Sequence, residues 1–136
     1  MLGSLINHLI MKYKKIVRIN PRDPGAPGKF YVQPITDGTV TKKTLADDLV
    51  LISSLSRGDI SSVIENLIDI LPKYLLMGKS VQLGELGTLR VSFSSEGADT
   101  REQLTTSMIR GKKVIFTPGR LLKEMLPKLT FELIKD

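Results

Sequence analysis

Residues 78–91 restrict this chain more than any other stretch. They read Gly78-Lys79-Ser80-Val81-Gln82-Leu83-Gly84-Glu85-Leu86-Gly87-Thr88-Leu89-Arg90-Val91. Gly78 carries no Cβ, so it can adopt the left-handed conformation that closes a helix. Val81 and Leu83 alternate with Ser80 and Gln82, the period of a half-buried strand. Gly84 and Gly87 bracket Glu85-Leu86 and allow a sharp reversal. Leu89, Val91 and Phe93 then alternate with Thr88, Arg90 and Ser92, which predicts a second strand with one apolar face. A helix must therefore end at 78, and a hairpin must follow it.

The flanking patterns fit around that hairpin. Upstream, Thr41 can cap a first helix that carries Leu45, Leu49 and Ile52 at helical spacing and runs to about Ser54. Ser56-Arg57-Gly58-Asp59 has the form of a capping box. It opens a second helix with Ile60, Val63, Ile64, Leu67, Ile68 and Leu71 on one stripe, and Pro72 predicts a kink between Ile68 and Pro72. Downstream, residues 94–103 are polar, and Leu104 to Ser107 lead back into residues 108–116, a strand that is apolar in its second half. Two strands joined by a long polar excursion predict a projecting β arm or a mobile loop. Thr117-Pro118-Gly119 suits a helix start with Thr117 as cap, and Leu121, Leu122, Met125 and Leu126 form its stripe up to Pro127.

Residues 11–40 read as a small β appendage. Residues 12–19 suit a strand with Tyr13, Val17 and Ile19 on one alternate face. Asn20 to Gly28 contains three prolines and two glycines and must be a flexible loop, and Phe30 to Ile35 is a second short strand. Residues 1–10 are apolar but lack a basic leader and a small-residue cleavage site, and Met11-Lys12-Tyr13 reads as a natural start. They are expected to be an upstream extension, which makes a cytoplasmic location the default. No uncharged apolar run approaches the roughly 18 residues needed to span a bilayer.

Charge is unevenly placed. The net charge is +6, and residues 1–43 alone hold eight basic groups against two acidic ones. The rest of the chain is neutral. A local basic surplus of this kind attracts phosphates or anionic surfaces. Catalysis has little material. There is no cysteine, and His8 is the single histidine, so disulfides, thiolate metal sites, His-based zinc sites and catalytic triads are excluded. No phosphate-binding glycine motif occurs. Asp47-Asp48 do not suggest a metal, because adjacent helical residues do not face each other. The expectation is a protein that is not an enzyme, uses no cofactor and binds no small-molecule substrate.

The motif Gly78-Lys79-x-Val81-x-Leu83-x-x-Leu86-Gly87-Thr88-Leu89 resembles the G-D-x-V-x-L-x-G-F-G-T-F signature of the HU/integration host factor family of bacterial histone-like DNA-binding proteins. Val114-x-Phe116-x-x-Gly119-Arg120-x-Leu122-Lys123 resembles that family's P-x-F-K-x-G-K-x-L-K. The basic appendage is similar to the branch found in Bacteroides-like bacteria. The resemblance covers roughly residues 41–127. It implies an α+β fold: two helices, a three-stranded antiparallel sheet with a protruding β arm, and a C-terminal helix, with the N-terminal β appendage in front. On that reading residues 41–136 form the dimerisation and DNA-binding domain. The function implied is that of a homodimer in the nucleoid whose arms embrace duplex DNA in the minor groove without reading sequence. Leu89, Val91, Phe93 and Phe116 are expected in the core or the dimer interface.

The DNA-binding candidates are Lys42, Lys43, Arg90, Arg101, Arg110, Lys112, Lys113 and Arg120. Lys42 and Lys43 stand at a helix N-terminus, where cations cost a little stability. Arg110, Lys112 and Lys113 lie beside the arm base, and Arg120 takes the family's Gly-Arg/Lys position. Two features depart from the family. The tip, Glu96 to Gln103, contains no Asn-Pro wedge, and residues 92–113 balance four cations against three carboxylates. Such an arm releases few counterions, so its own affinity is expected to be low. The alternative function is a protein-interaction or scaffolding module that kept the fold and lost DNA binding.

Overall fold

The structure is a computed structural model, described for residues 9–134. Most of the expected upstream extension, and His8 with it, lies outside the described residues. Among the described residues the fold is mixed α+β with three helices and two small sheets. The chain divides into two units: Met1–Thr41 with Met125–Asp136, and Lys42–Glu124.

The first unit is a three-stranded sheet. β1 (Ile10–Arg18) lies between β2 (Lys29–Ile35) and β6 (Thr130–Leu133). β1 and β2 are antiparallel, with Arg18 opposite Lys29 and Lys12 opposite Ile35. β6 runs parallel to β1, with Ile10 opposite Thr130 and Tyr13 opposite Leu133. Thr130 Oγ1 donates to the Leu9 carbonyl, and the Ile134 N–H donates to the Tyr13 carbonyl. The β1–β2 loop carries an internal scaffold. Asn20 Oδ1 accepts from the Arg22 N–H, and the N–H groups of Asp23 and Ala26 donate to the carbonyls of Asn20 and Asp23. This is the local turn-making expected of Asn and Asp beside proline.

The second unit begins with α1 (Lys42–Ile52) and α2 (Arg57–Leu76). Ser56 makes the capping box legible in the sequence. Its Oγ accepts from the Asp59 N–H at 3.1 Å, and Asp59 Oδ2 accepts from the Ser56 N–H at 3.4 Å. Ser56→Ala should therefore cost about 1 kcal/mol, seen as a lower denaturant midpoint with an unchanged slope. α2 continues as one helix through Pro72. It ends in a Schellman arrangement. The Gly78 N–H donates to the Leu75 carbonyl, the Lys79 N–H donates to the Tyr74 carbonyl, and Gly78 has φ +75°.

β3 (Val81–Gln82), β4 (Gly87–Ser95) and β5 (Ile109–Pro118) follow as an antiparallel sheet in that spatial order. A single 3₁₀ turn, Gly84–Leu86, makes the reversal before β4. β5 runs on through Pro118, which lies opposite Gly87, and α3 (Arg120–Met125) starts two residues later. Thr117 and Pro118 are thus strand residues and not the helix start expected of them. The reason is local. The Gly119 N–H donates to the Leu86 carbonyl at 2.9 Å, which holds residues 118–119 against the 3₁₀ turn.

Among the described residues only Ala46 and Ile60 are buried apolar side chains. Leu51, Ile52 and Leu76 are each more than 80% exposed, and Val91, Phe93, Val114 and Phe116 of the hairpin are each more than 40% exposed. Large apolar side chains are thus left in water in both units, as in Phe30, Val32 and Phe131 of the first and Leu51, Ile52 and Phe93 of the second.

Candidate nucleic-acid interface

The β4–β5 arm sorts its side chains by register. Leu89 lies opposite Phe116, Val91 opposite Val114, Arg90 opposite Ile115, and Ser92 opposite Lys113. Residues directly opposite share a face, and neighbours along a strand alternate. Leu89, Val91, Phe93, Val114 and Phe116 therefore form one apolar face. Thr88, Arg90, Ser92, Lys113 and Thr117 form the other, with Ile115 among them opposite Arg90.

Beyond Ser92 the register shifts, and Ser94 lies opposite Arg110. One residue of β4, Phe93, is matched by two of β5, Gly111 and Lys112, so β5 carries a β-bulge. Gly111 sits in the bulge at φ +61°, a conformation that glycine adopts freely. Ser94 Oγ donates to the Arg110 carbonyl at 3.2 Å and tightens this corner. The bulge has a consequence for charge. Arg110 and Lys113 are three residues apart and would point to opposite faces of a regular strand. The extra residue returns Arg110 to the face of Ser94, Ser92 and Lys113. Arg90, Lys113 and Arg110 thus line one side of the arm, while Lys112 stands at the bulge on the apolar side.

The other candidates are placed elsewhere. Arg101 is exposed in a 3₁₀ turn at the arm tip, Arg101–Gln103. The tip is built from that turn and a second one, Thr106–Met108, with the Glu96 N–H donating to the Met108 carbonyl. Leu104 is half exposed, and Met108 is partly buried. Lys42 opens α1 and pairs with Glu65 of α2, and Lys43 is exposed beside it.

Arg120 is clasped by Glu85. Its Nε and one terminal nitrogen both donate to Glu85 Oε2, at 3.1 and 2.7 Å, and Glu124 lies 3.6 Å from the other nitrogen. Arg110 pairs with Glu96 on the polar face of the arm. Among the described residues, Lys43, Arg90, Arg101, Lys112 and Lys113 make no ion pair. The clasp of Arg120 had a signal in the sequence, since Glu85 is the only charged residue inside the Gly84–Gly87 turn. The sorting of Arg110, Lys112 and Lys113 had a weaker one, the isolated Gly111 inside a strand pattern.

The sequence profile of the family described as an HU domain fused to a winged helix-turn-helix, an Ig or a glycine-rich motif matches residues 10–133. The chain belongs to this HU-like family. The match takes in β1, β2 and β6 as well as the arm. Among solved structures the HU-like chain is similar to a protein from Bacteroides vulgatus described as a candidate bacterial DNA-binding protein. The TM-score is 0.62 and the identity 17%, over 92% of this chain and 48% of the other. The HU-like chain thus spans about half the length of that protein, and the likeness is one of fold. No curated protein matches the sequence. No described helix is long and apolar enough to cross a membrane, and no described cluster of acidic or histidine side chains could hold a metal ion.

Proposed function

We propose that this HU-like chain is a DNA-binding architectural protein of the nucleoid, which acts as a homodimer and contacts duplex DNA through phosphates with little base reading. The observation that carries this reading is the bulge at Gly111, which gathers Arg90, Lys113 and Arg110 on one side of a two-stranded arm. A β-ribbon with cations on one side suits a groove edge, and cations that face phosphates release counterions on binding. The opposite, apolar side of the arm suits burial against a second copy. Residues 11–40 act on this reading as a basic appendage to the domain that follows, and no step requires catalysis.

Bending through a proline wedge does not belong to this mechanism, since the tip has no proline. The large apolar side chains there are Leu104 and Met108, of which Leu104 is the more exposed. The test is fluorescence anisotropy with a random-sequence duplex, comparing the parent with Arg90→Gln/Arg110→Gln/Lys113→Gln across salt. Removing three cations per protomer, or six per dimer, should flatten the plot of log K against log salt by about 5 if all six touch phosphate. An unchanged slope would remove the arm from the interface.

A second reading is a scaffolding module that binds protein instead of DNA. The Arg110–Glu96 pair favours it, because it neutralises from within one of the three cations gathered on that side of the arm. It predicts a stable dimer that leaves duplex DNA unbound at low salt.

A further inference from the structure

The three-stranded sheet of β1, β2 and β6 also has two unlike faces. Met11, Tyr13 and Val17 share one with Phe30, Val32, Pro34, Phe131 and Leu133. Met11, Lys12, Tyr13, Val32, Pro34 and Phe131 line an apolar hollow of about 490 Å³. The other face carries Lys12, Lys14 and Arg18 from β1 and Lys29 from β2, with Ile16, Tyr31 and Gln33 between them. Its one carboxylate is Glu132, opposite Lys12. Lys15 is the single β1 cation on the apolar side.

Three features of the basic face point outward to a ligand. Arg18 and Lys29 stand directly opposite each other. A cross-strand pair of like charge costs stability, so packing of the sheet does not account for it. Secondly, none of Lys12, Lys14, Arg18 and Lys29 makes an ion pair among the described residues, whereas Lys42, Arg110 and Arg120 each have a carboxylate. Thirdly, the face ends in a cleft of about 420 Å³ walled by Arg18, Lys29 and Tyr31 from the strands and by Asn20, Pro21 and Pro27 from the loop. The Arg18 guanidinium lies 5.5 Å from the centre of the Tyr31 ring, and this contact holds its planar fork at the cleft. A row of cations that ends in an arginine-lined cleft suits a chain of phosphates better than a single anion.

We infer that the Lys12–Lys14–Arg18–Lys29 face is a second phosphate-binding surface, which takes the backbone of duplex DNA independently of the β arm. The inference rests on the proposed DNA-binding function and adds a contact to it. It also accounts for the uneven charge: an arm with few net cations is supplemented by a sheet on which four cations face one carboxylate.

The test uses the full chain and a random-sequence duplex, with anisotropy read across salt. Lys12→Gln/Lys14→Gln/Arg18→Gln/Lys29→Gln should flatten the log K against log salt plot by about 3 to 4 for each sheet engaged. Lys14→Gln/Lys29→Gln changes only exposed positions and should give about half of that. The charge-preserving set Lys12→Arg, Lys14→Arg, Arg18→Lys and Lys29→Arg should keep the parent slope. Parent-like slopes in both glutamine variants would overturn the inference and leave the arm reading standing. Failure of the parent to bind duplex at low salt would overturn both. Co-sedimentation with phosphatidylserine vesicles that the glutamine variants lose, with duplex binding unchanged, would also overturn it and assign the face to a membrane surface.

Discussion

Gly119→Ala should destabilise the chain by on the order of 3 kcal/mol, the upper end of what overpacking usually costs. A Cβ at this position would overlap the Glu85 carbonyl oxygen, lie 2.6 Å from the Glu85 carbonyl carbon and 3.1 Å from the Gly87 nitrogen. These are backbone atoms of the 3₁₀ turn and of the first residue of β4, and they cannot rotate aside. Moving them would also break the Gly119-to-Leu86 hydrogen bond and shift the Arg120–Glu85 clasp. Gly97→Ala is the matched control. A Cβ there meets nothing within 4 Å, and its change should stay within about 0.5 kcal/mol. Thermal melts followed by circular dichroism would compare the two. Equal melting temperatures would mean that residues 118–119 do not press on the turn.

The second large effect is expected on assembly. Val91→Glu/Phe116→Glu places two carboxylates on the apolar face of the arm, where both side chains are more than 40% exposed in the single chain. If that face is covered by a second copy, four apolar side chains per dimer lose their burial. At roughly 1.5–3 kcal/mol each, the loss is on the order of 6 kcal/mol or more, before the cost of burying the new charges. Light scattering should show the parent at twice 15.1 kDa and the variant at the mass of one chain or unfolded. The melting temperature of the parent should rise with concentration, as mass action requires of a dimer. A variant that keeps the doubled mass would show that this face is not the interface.

The sequence was most informative where structure is local. The capping box at Ser56, the glycine stop at Gly78 and the alternation from Thr88 to Phe93 each depend on residues within a turn or two. Each was readable without knowledge of the rest. Contacts between distant residues were not. β6 is a four-residue segment whose pairing with β1 spans about 120 residues, and nothing in Thr130 to Leu133 announces a parallel partner. Pro118 has the chemistry of a helix start, but the Gly119–Leu86 hydrogen bond keeps it in the strand.

The candidate site shows the same division. Composition marked the cations, and only register shows which of them share a face. One glycine at 111 decides that Arg110 joins Lys113 and Arg90 while Lys112 does not. On the N-terminal sheet, Lys12 and Lys14 were visible as a charge cluster. The two-faced character of that sheet depends on the pairing of Arg18 with Lys29 and of Lys12 with Glu132.

The most direct test of the central claim is the salt dependence of the parent protein's affinity for two unrelated duplexes of equal length, read by fluorescence anisotropy. Phosphate contact by an HU-like dimer predicts tight binding at low salt, a linear fall of log K with log salt with a slope of about −5 or steeper, and the same line for both sequences. Absence of binding to either duplex at low salt would contradict the account and leave the fold serving a protein partner.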